Sequence, residues 1–257
     1  MRYAIAFILL GATSLHADDW TPPKDPDPQA ILQEARADTK AGRYETALAK
    51  HVWFHQNALS IHPSLYGVRL SFALSYWWEL ATEYPAALTK LKEIRDTAEG
   101  NVRGGKNVRE SFHDMESIND HLDEQSKTKE LFESLHENDP KTAKEVFDLA
   151  QPSLIKGKAY VLVGKYISPK DDFGKMREGY RQNKKLADDT RFGARHLEFA
   201  NKKFANDSTT LVAILTLNDR KKESEEIAAS ARAEWDDDSF HAALEKALMG
   251  VVPDPWP

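Results

Sequence analysis

Ala41-Gly42-Arg43-Tyr44-Glu45-Thr46-Ala47-Leu48 is the stretch on which the fold turns. Gly42 follows a helical pattern over residues 30–40 and supplies the backbone freedom with which helices commonly stop. Tyr44 opens the next run, in which Tyr44, Ala47, Leu48, His51, His55, Ala58 and Leu59 recur at three- and four-residue spacing. That spacing puts them along one face of a helix. The same opening returns 40 residues later as Tyr84-Pro85-Ala86-Ala87-Leu88. Between the two lies the stripe Leu70, Ala73, Leu74, Trp77 and Ala81, and the second opening continues through Leu91, Ile94 and Ala98. The helices therefore come in pairs. Pairs that recur every 20 to 50 residues or so describe stacked units, none of which buries its apolar face alone.

Ala41-Gly42-Arg43-Tyr44-x-x-Ala47-Leu48 resembles the inter-helix turn and second-helix start of a tetratricopeptide repeat, and Ala58, Leu59 and Pro63 resemble the end of that repeat. The segment from Ala47 to Ala58 is four residues longer than the family pattern, about one extra helical turn. Glu34 stands where the first helix of the repeat is apolar. The resemblance covers residues 28–100 and returns weakly over 208–249. It implies an all-α fold, in which antiparallel helix pairs stack into a right-handed solenoid with a concave groove lined by the first helix of each pair.

The remaining sequence is read in the same terms. Residues 1–17, MRYAIAFILLGATSLHA, have one basic residue, an apolar core and a small-residue end, the layout of a secretory signal peptide. The apolar run is about half of the roughly 20 residues that a spanning helix needs, so no stable membrane anchor is expected after cleavage. Residues 18–28 are a linker, since the four prolines of WTPPKDPDP cannot hold a helix. Residues 29–250 are expected to form the helical repeat domain, with about eleven or twelve helices and a possible bend at the glycine-rich loop near 100–107. Within it, Pro140 starts one helix to Ala150 and Pro152 another toward Ile167; residues 159–163 also have a composition that suits a strand. Residues 171–186 and 192–204 read as charged amphipathic helices. A pair over residues 211–235 turns at Asn218-Asp219-Arg220, and residues 239–249 cap it. Residues 251–257, VVPDPWP, form an extended tail.

Composition excludes several classes of function. The chain has 35 basic and 41 acidic residues and a net charge of −6, with no basic block for a nucleic-acid backbone. It has no cysteine, which removes disulfides, thiolate metal sites and thiol nucleophiles together. An exported chain without disulfides fits a bacterial periplasm better than full secretion.

Candidate chemistry is sparse. Gly100 to Lys106 has the spacing of a phosphate-binding loop, but Asn107 replaces the hydroxyl that would hold magnesium, and a helix precedes it instead of a strand. His51 and His55 share a helix face and could chelate a divalent ion, though Val52 stands where a metalloprotease carries Glu. Their place on an apolar stripe also suits packed histidines, and His62 follows the helix end. His113, Asp114 and Glu116 form a polar cluster that needs shifted pKa values to do acid–base work. Residues 234–238, EWDDD, are expected to end one helix and cap the next.

The aromatics give the sharper lead. Phe72 and Tyr76 lie one helical turn apart, off the stripe that holds Trp77, and are flanked by Arg69 and Glu79. On the tetratricopeptide pattern they line the groove together with Arg36 and Lys40, or else they pack on neighbouring helices. The expected function is that of an exported, non-enzymatic scaffold or adaptor holding a peptide or protein against Arg36, Lys40, Arg69, Phe72, Tyr76 and Glu79, with no cofactor or metal. Two alternatives stand beside it: a small-ligand or glycan binder using the Trp-rich N-terminal half, and a metal-dependent hydrolase built on His51 and His55.

Overall fold

The computed structural model describes residues 20–189 and 193–255, so the expected signal peptide lies outside the described residues. These residues form thirteen α-helices and one short 3-10 turn, with no strand among them. The chain divides into two compact units, Met1–Thr97 and Ala98–Pro257.

The first unit holds α1 (Pro28–Lys40), α2 (Tyr44–Ile61), a 3-10 turn (Pro63–Leu65), α3 (Tyr66–Leu70), α4 (Phe72–Glu83) and the start of α5 (Pro85–Arg103). Asp27 caps α1 by accepting hydrogen bonds from the backbone N–H of Gln29 and Ala30, and Pro28 takes the first turn, where no N–H is needed. Gly42 ends the helix at φ +75°, which glycine adopts without a steric penalty. Consecutive helices pack as neighbours, α1 on α2 and α4 against both. The apolar stripe buries Leu32, Phe54, Ala58, Leu65 and Ala73 in one cluster. Trp77 is also fully buried, and its indole N–H donates to the carbonyl of Ala87 at 3.1 Å. Truncating such a side chain to Ala costs about 3–5 kcal/mol. The linker does not hang free at its start, because the Trp20 ring meets Trp53 edge-on at 6.3 Å and Lys50 Nζ lies 5.7 Å from its centroid.

The second unit continues with α6 (Val108–His121), α7 (Gln125–Asn138), α8 (Pro140–Lys156), α9 (Tyr160–Gly164), α10 (Pro169–Ala187), α11 (Gly193–Leu217), α12 (Lys221–Glu234) and α13 (Asp238–Leu248). Helix α11 is its axis: α9, α10, α12 and α13 all pack on it. A ladder of rings joins three helices and a turn: Tyr180 stacks on Phe204 at 4.4 Å, Phe204 meets Phe240 at 5.8 Å, and Phe240 stacks on Trp235 at 5.1 Å. Asp237 caps α13 through the N–H of Phe240, as the acidic run suggested. The chain turns out of α11 at Asp219, φ +57°.

Four local expectations are corrected. Residues 160–164 are helical, not extended, because α9 packs on α8 and α11 and Val163 is buried between them. Pro152 lies inside α8 instead of starting a helix. The glycine-rich loop is shorter than expected, since α5 runs through Gly100 to Arg103. The segments 193–204 and 211–217 belong to one 25-residue helix, α11, which carries Ser208 and Thr209 buried in its middle.

Candidate functional site

Helices α1 and α4 bring together three of the six residues expected to line a groove. Arg36 projects from α1, with its guanidinium carbon 4.3 Å from the centre of the Tyr76 ring on α4. Its Nε lies 3.7 Å from Glu79, one turn further along α4. Tyr76 also packs against the apolar cluster of the first unit, which holds the ring in place beneath the cation. Phe72, the first residue of α4, stands one turn before Tyr76 and is 63% exposed. The backbone breaks at Ser71, φ −125° and ψ −90°, and this break separates α3 from α4 immediately before Phe72. Lys40 is exposed at the last turn of α1, four residues beyond Arg36, where a cation complements the helix dipole.

Arg69 is elsewhere. It sits on α3, is 5% exposed, and directs Nη1 to His55 Nε2 at 3.0 Å. It is a packing cation, not part of the open face. This arrangement also decides the surroundings of the two histidines. His51 stacks on Trp77 at 5.6 Å and His55 meets the same ring edge-on at 6.2 Å. Burial pushes His51 down to about 4, and burial together with the Arg69 charge pushes His55 down to about 3. A guanidinium in contact with His55 repels a divalent cation from the ring nitrogen that would bind it. No group of three or more His, Asp or Glu among the described residues is placed to hold a metal. His62 lies beyond the end of α2 and is exposed.

The α6 cluster is more polarised than its sequence suggested. Glu116 is half-buried, and burial, with the Asp120 carboxylate one turn away, raises its pKa to about 7 against a lowering hydrogen bond from Ser117. His113 and Asp114 are half-buried on the same helix. Of the tryptophans in the N-terminal half, Trp77 is enclosed, Trp20 and Trp53 contact each other, and Trp78 is 37% exposed.

Sequence reasoning missed the ion cluster between α1 and α2. Lys50 is buried and donates to both Asp38 and Glu34 at 2.8 Å, while Arg43 Nε donates to Asp38 at 2.8 Å. The signal was present in Glu34, the charged residue at an apolar place in the repeat. Four residues separate it from Asp38 on α1, so one lysine from α2 can answer both. No protein-family model matches the chain, and no curated protein and no solved structure matches it.

Proposed function

We propose that the chain is an exported, tetratricopeptide-like helical repeat protein that acts as a scaffold or adaptor without covalent chemistry, holding a peptide or protein segment on the α1/α4 face. The observation that carries this reading is the exposed Phe72 beside the ordered Arg36–Tyr76–Glu79 set. A large exposed aromatic next to an arginine that is already oriented on a ring has the composition of a binding hot spot. Phe72 supplies apolar area, Arg36 a cation held in place before binding, and Lys40 and Glu79 the charges that set orientation. Helix pairs packed as neighbours, with Tyr44 and Tyr84 in equivalent places, support the repeat reading. The apolar run and small-residue end of residues 1–17 support export.

The test is capture from an exported-fraction extract of the host, using the parent and a Phe72→Ala/Tyr76→Ala variant of matched helicity. Arg69 is left intact because it is buried. A protein enriched by the parent and lost by the variant supports the reading. Equal recovery by both, or no enrichment by the parent, rejects this face as the binding site.

A further inference from the structure

Helices α10 and α11 pack side by side as an antiparallel pair: Tyr180 of α10 meets Phe204 and Asn201 of α11, and Lys184 faces Leu197 further out. The core supports this pair as far as Tyr180 and Ala200. Beyond them, none of the described residues from Arg181 to Asp189 or from Gly193 to Phe199 is buried. Each helix therefore extends about two turns, or about 10 Å, past its last buried residue. The unsupported end is nevertheless apolar. Leu186 on α10 and Leu197 and Phe199 on α11 are 38–47% exposed, and these three are among the few large apolar side chains left open to water.

The charges of this tip run against those of the chain, whose net charge is −6. A hollow of about 250 Å³ is lined from α10 by Lys184, Lys185 and Asp188 and from α11 by Ala194 and Leu197. Arg195 is exposed beside it. Lys184, Lys185 and Arg195 thus outnumber Asp188, the one carboxylate that lines the hollow. Of the other carboxylates at the tip, Glu198 is answered by Lys202 at 2.6 Å and Asp189 is half-buried.

Area and charge select the occupant. Three side chains, each less than half exposed, offer roughly 300 Å² of apolar surface. A stable protein pair buries about 1,200–2,000 Å² in total, and a second copy of the same basic tip would be repelled. A projecting end with apolar side chains among lysine and arginine instead matches an anionic lipid surface. There, apolar groups enter the headgroup and acyl boundary to a depth of about 5–10 Å, and each cation near the surface adds attraction. We propose that the α10/α11 tip docks on the surface of an anionic phospholipid bilayer. Leu186, Leu197 and Phe199 enter the acyl boundary, and Lys184, Lys185 and Arg195 meet the headgroup phosphates. The attachment is peripheral and reversible, since no helix among the described residues is long and apolar enough to cross a membrane. The proposal is independent of the α1/α4 face: it concerns where the protein stands, not what it holds.

The test uses the chain as its host produces it. No cysteine is present, so one introduced cysteine carries the only label. Ala194→Cys places a polarity-sensitive nitrobenzoxadiazole dye at the tip, and Lys222→Cys places the same dye in the first turn of α12 as the reference. Vesicles of phosphatidylglycerol and phosphatidylcholine in equal parts are expected to float the protein in a density gradient and to shift the tip dye to the blue. Vesicles of phosphatidylcholine alone are expected to do neither, and the reference dye keeps its emission in buffer. Lys184→Gln/Lys185→Gln should weaken binding by roughly fivefold for each lysine. Leu186→Ser/Phe199→Ser should abolish the blue shift; all four residues are exposed, and matched helicity verifies the fold. A parent that does not float with the anionic vesicles overturns the proposal. So does flotation that neither double variant weakens, or flotation with the tip dye still in water, which assigns the contact to another segment. Self-association in buffer that Leu186→Ser/Phe199→Ser removes assigns the tip to a second copy and overturns the lipid reading.

Discussion

The rings of Tyr44 and Tyr84 stack with their centroids 5.8 Å apart and their planes at 21°. These residues open the two matching stretches 40 residues apart, so the sequence repeat is also a contact in space. It sets Tyr44, the first residue of α2, against Tyr84, the residue between α4 and α5. Aromatic pairs of this kind contribute about 0.5–1.5 kcal/mol beyond the area they bury. A double-mutant cycle with Tyr44→Ala and Tyr84→Ala, read by urea unfolding, is expected to return a coupling energy in that range. Strictly additive single changes would show that the rings are neighbours without mutual stabilisation.

Lys50 is the pin between α1 and α2. The residue is 7% exposed, and its ammonium lies 2.8 Å from both Asp38 and Glu34. Replacing it by Met removes one of two cations on the buried Asp38 carboxylate, leaving Arg43, and is expected to destabilise by about 1–3 kcal/mol, less than for a buried charge left with no partner. The companion change Asp38→Leu should recover much of that loss, because no buried charge then remains to be compensated at that position. Burial opposes the charged form of Lys50, but hydrogen bonds to Asp38 and Glu34 outweigh it and raise the pKa above 10.5. The corresponding stability is fully present below pH 10.5 and is lost as pH rises through the folded-state value. Unfolding midpoints followed into alkaline buffer should therefore fall more steeply for the parent than for the double variant.

The helix pairs of the first unit were legible because their apolar residues keep a three-and-four spacing and because glycine and proline mark the turns at Gly42 and Pro63. The same logic failed in α11. Asn206-Asp207-Ser208-Thr209-Thr210 looks like a polar loop, yet Ala200, Phe204, Ser208, Leu211 and Leu215 are all buried along one continuous stripe. Thr209 meets its own burial by donating its hydroxyl proton to the carbonyl of Ala205 at 2.6 Å, which leaves the helix unbroken. Tertiary packing overrode local propensity there, as it did at residues 160–164. At the candidate face, the tetratricopeptide resemblance put Arg36 on the same expected groove as Phe72 and Tyr76, with Glu79 flanking them. It could not place Arg69, because the break at Ser71 changes the helix phase between Arg69 and Phe72.

His51 makes acid stability sensitive to one ring. Its imidazole is 1% exposed, and burial holds its pKa near 4 against an ordinary value of 6.5. The neutral form is favoured in the fold, so this contribution is present above pH 6.5 and is lost as pH falls toward 4, where the unfolded chain binds a proton that the fold refuses. The shift corresponds to roughly 3–4 kcal/mol. His51→Phe keeps a flat ring against Trp77 and carries no proton. Its unfolding free energy should fall less between pH 6.5 and 4 than that of the parent, with the residual slope carrying the contribution of His55. An unchanged slope would place the acid sensitivity elsewhere.

Glu116 makes the opposite demand. Burial, reinforced by the Asp120 carboxylate, raises its pKa from 4.5 to about 7, so the fold favours the protonated acid. Its contribution to stability is fully present below pH 4.5 and is lost as pH rises through 7, because the unfolded chain gives up the proton first. Glu116→Gln keeps the shape and removes the titration. The variant is expected to match the parent near pH 4.5 and to exceed it above pH 7 by about 1–3 kcal/mol. Asp120→Asn separates the two causes of the shift. If the neighbouring charge matters, this second variant lowers the Glu116 pKa, and its loss of stability above pH 4.5 levels off at lower pH and is smaller than the parent's. A titration of the Glu116 carboxyl carbon by NMR reads the same quantity directly. A midpoint near 4.5 in the parent would mean that water reaches the carboxylate and that the α6 cluster is an ordinary solvated face.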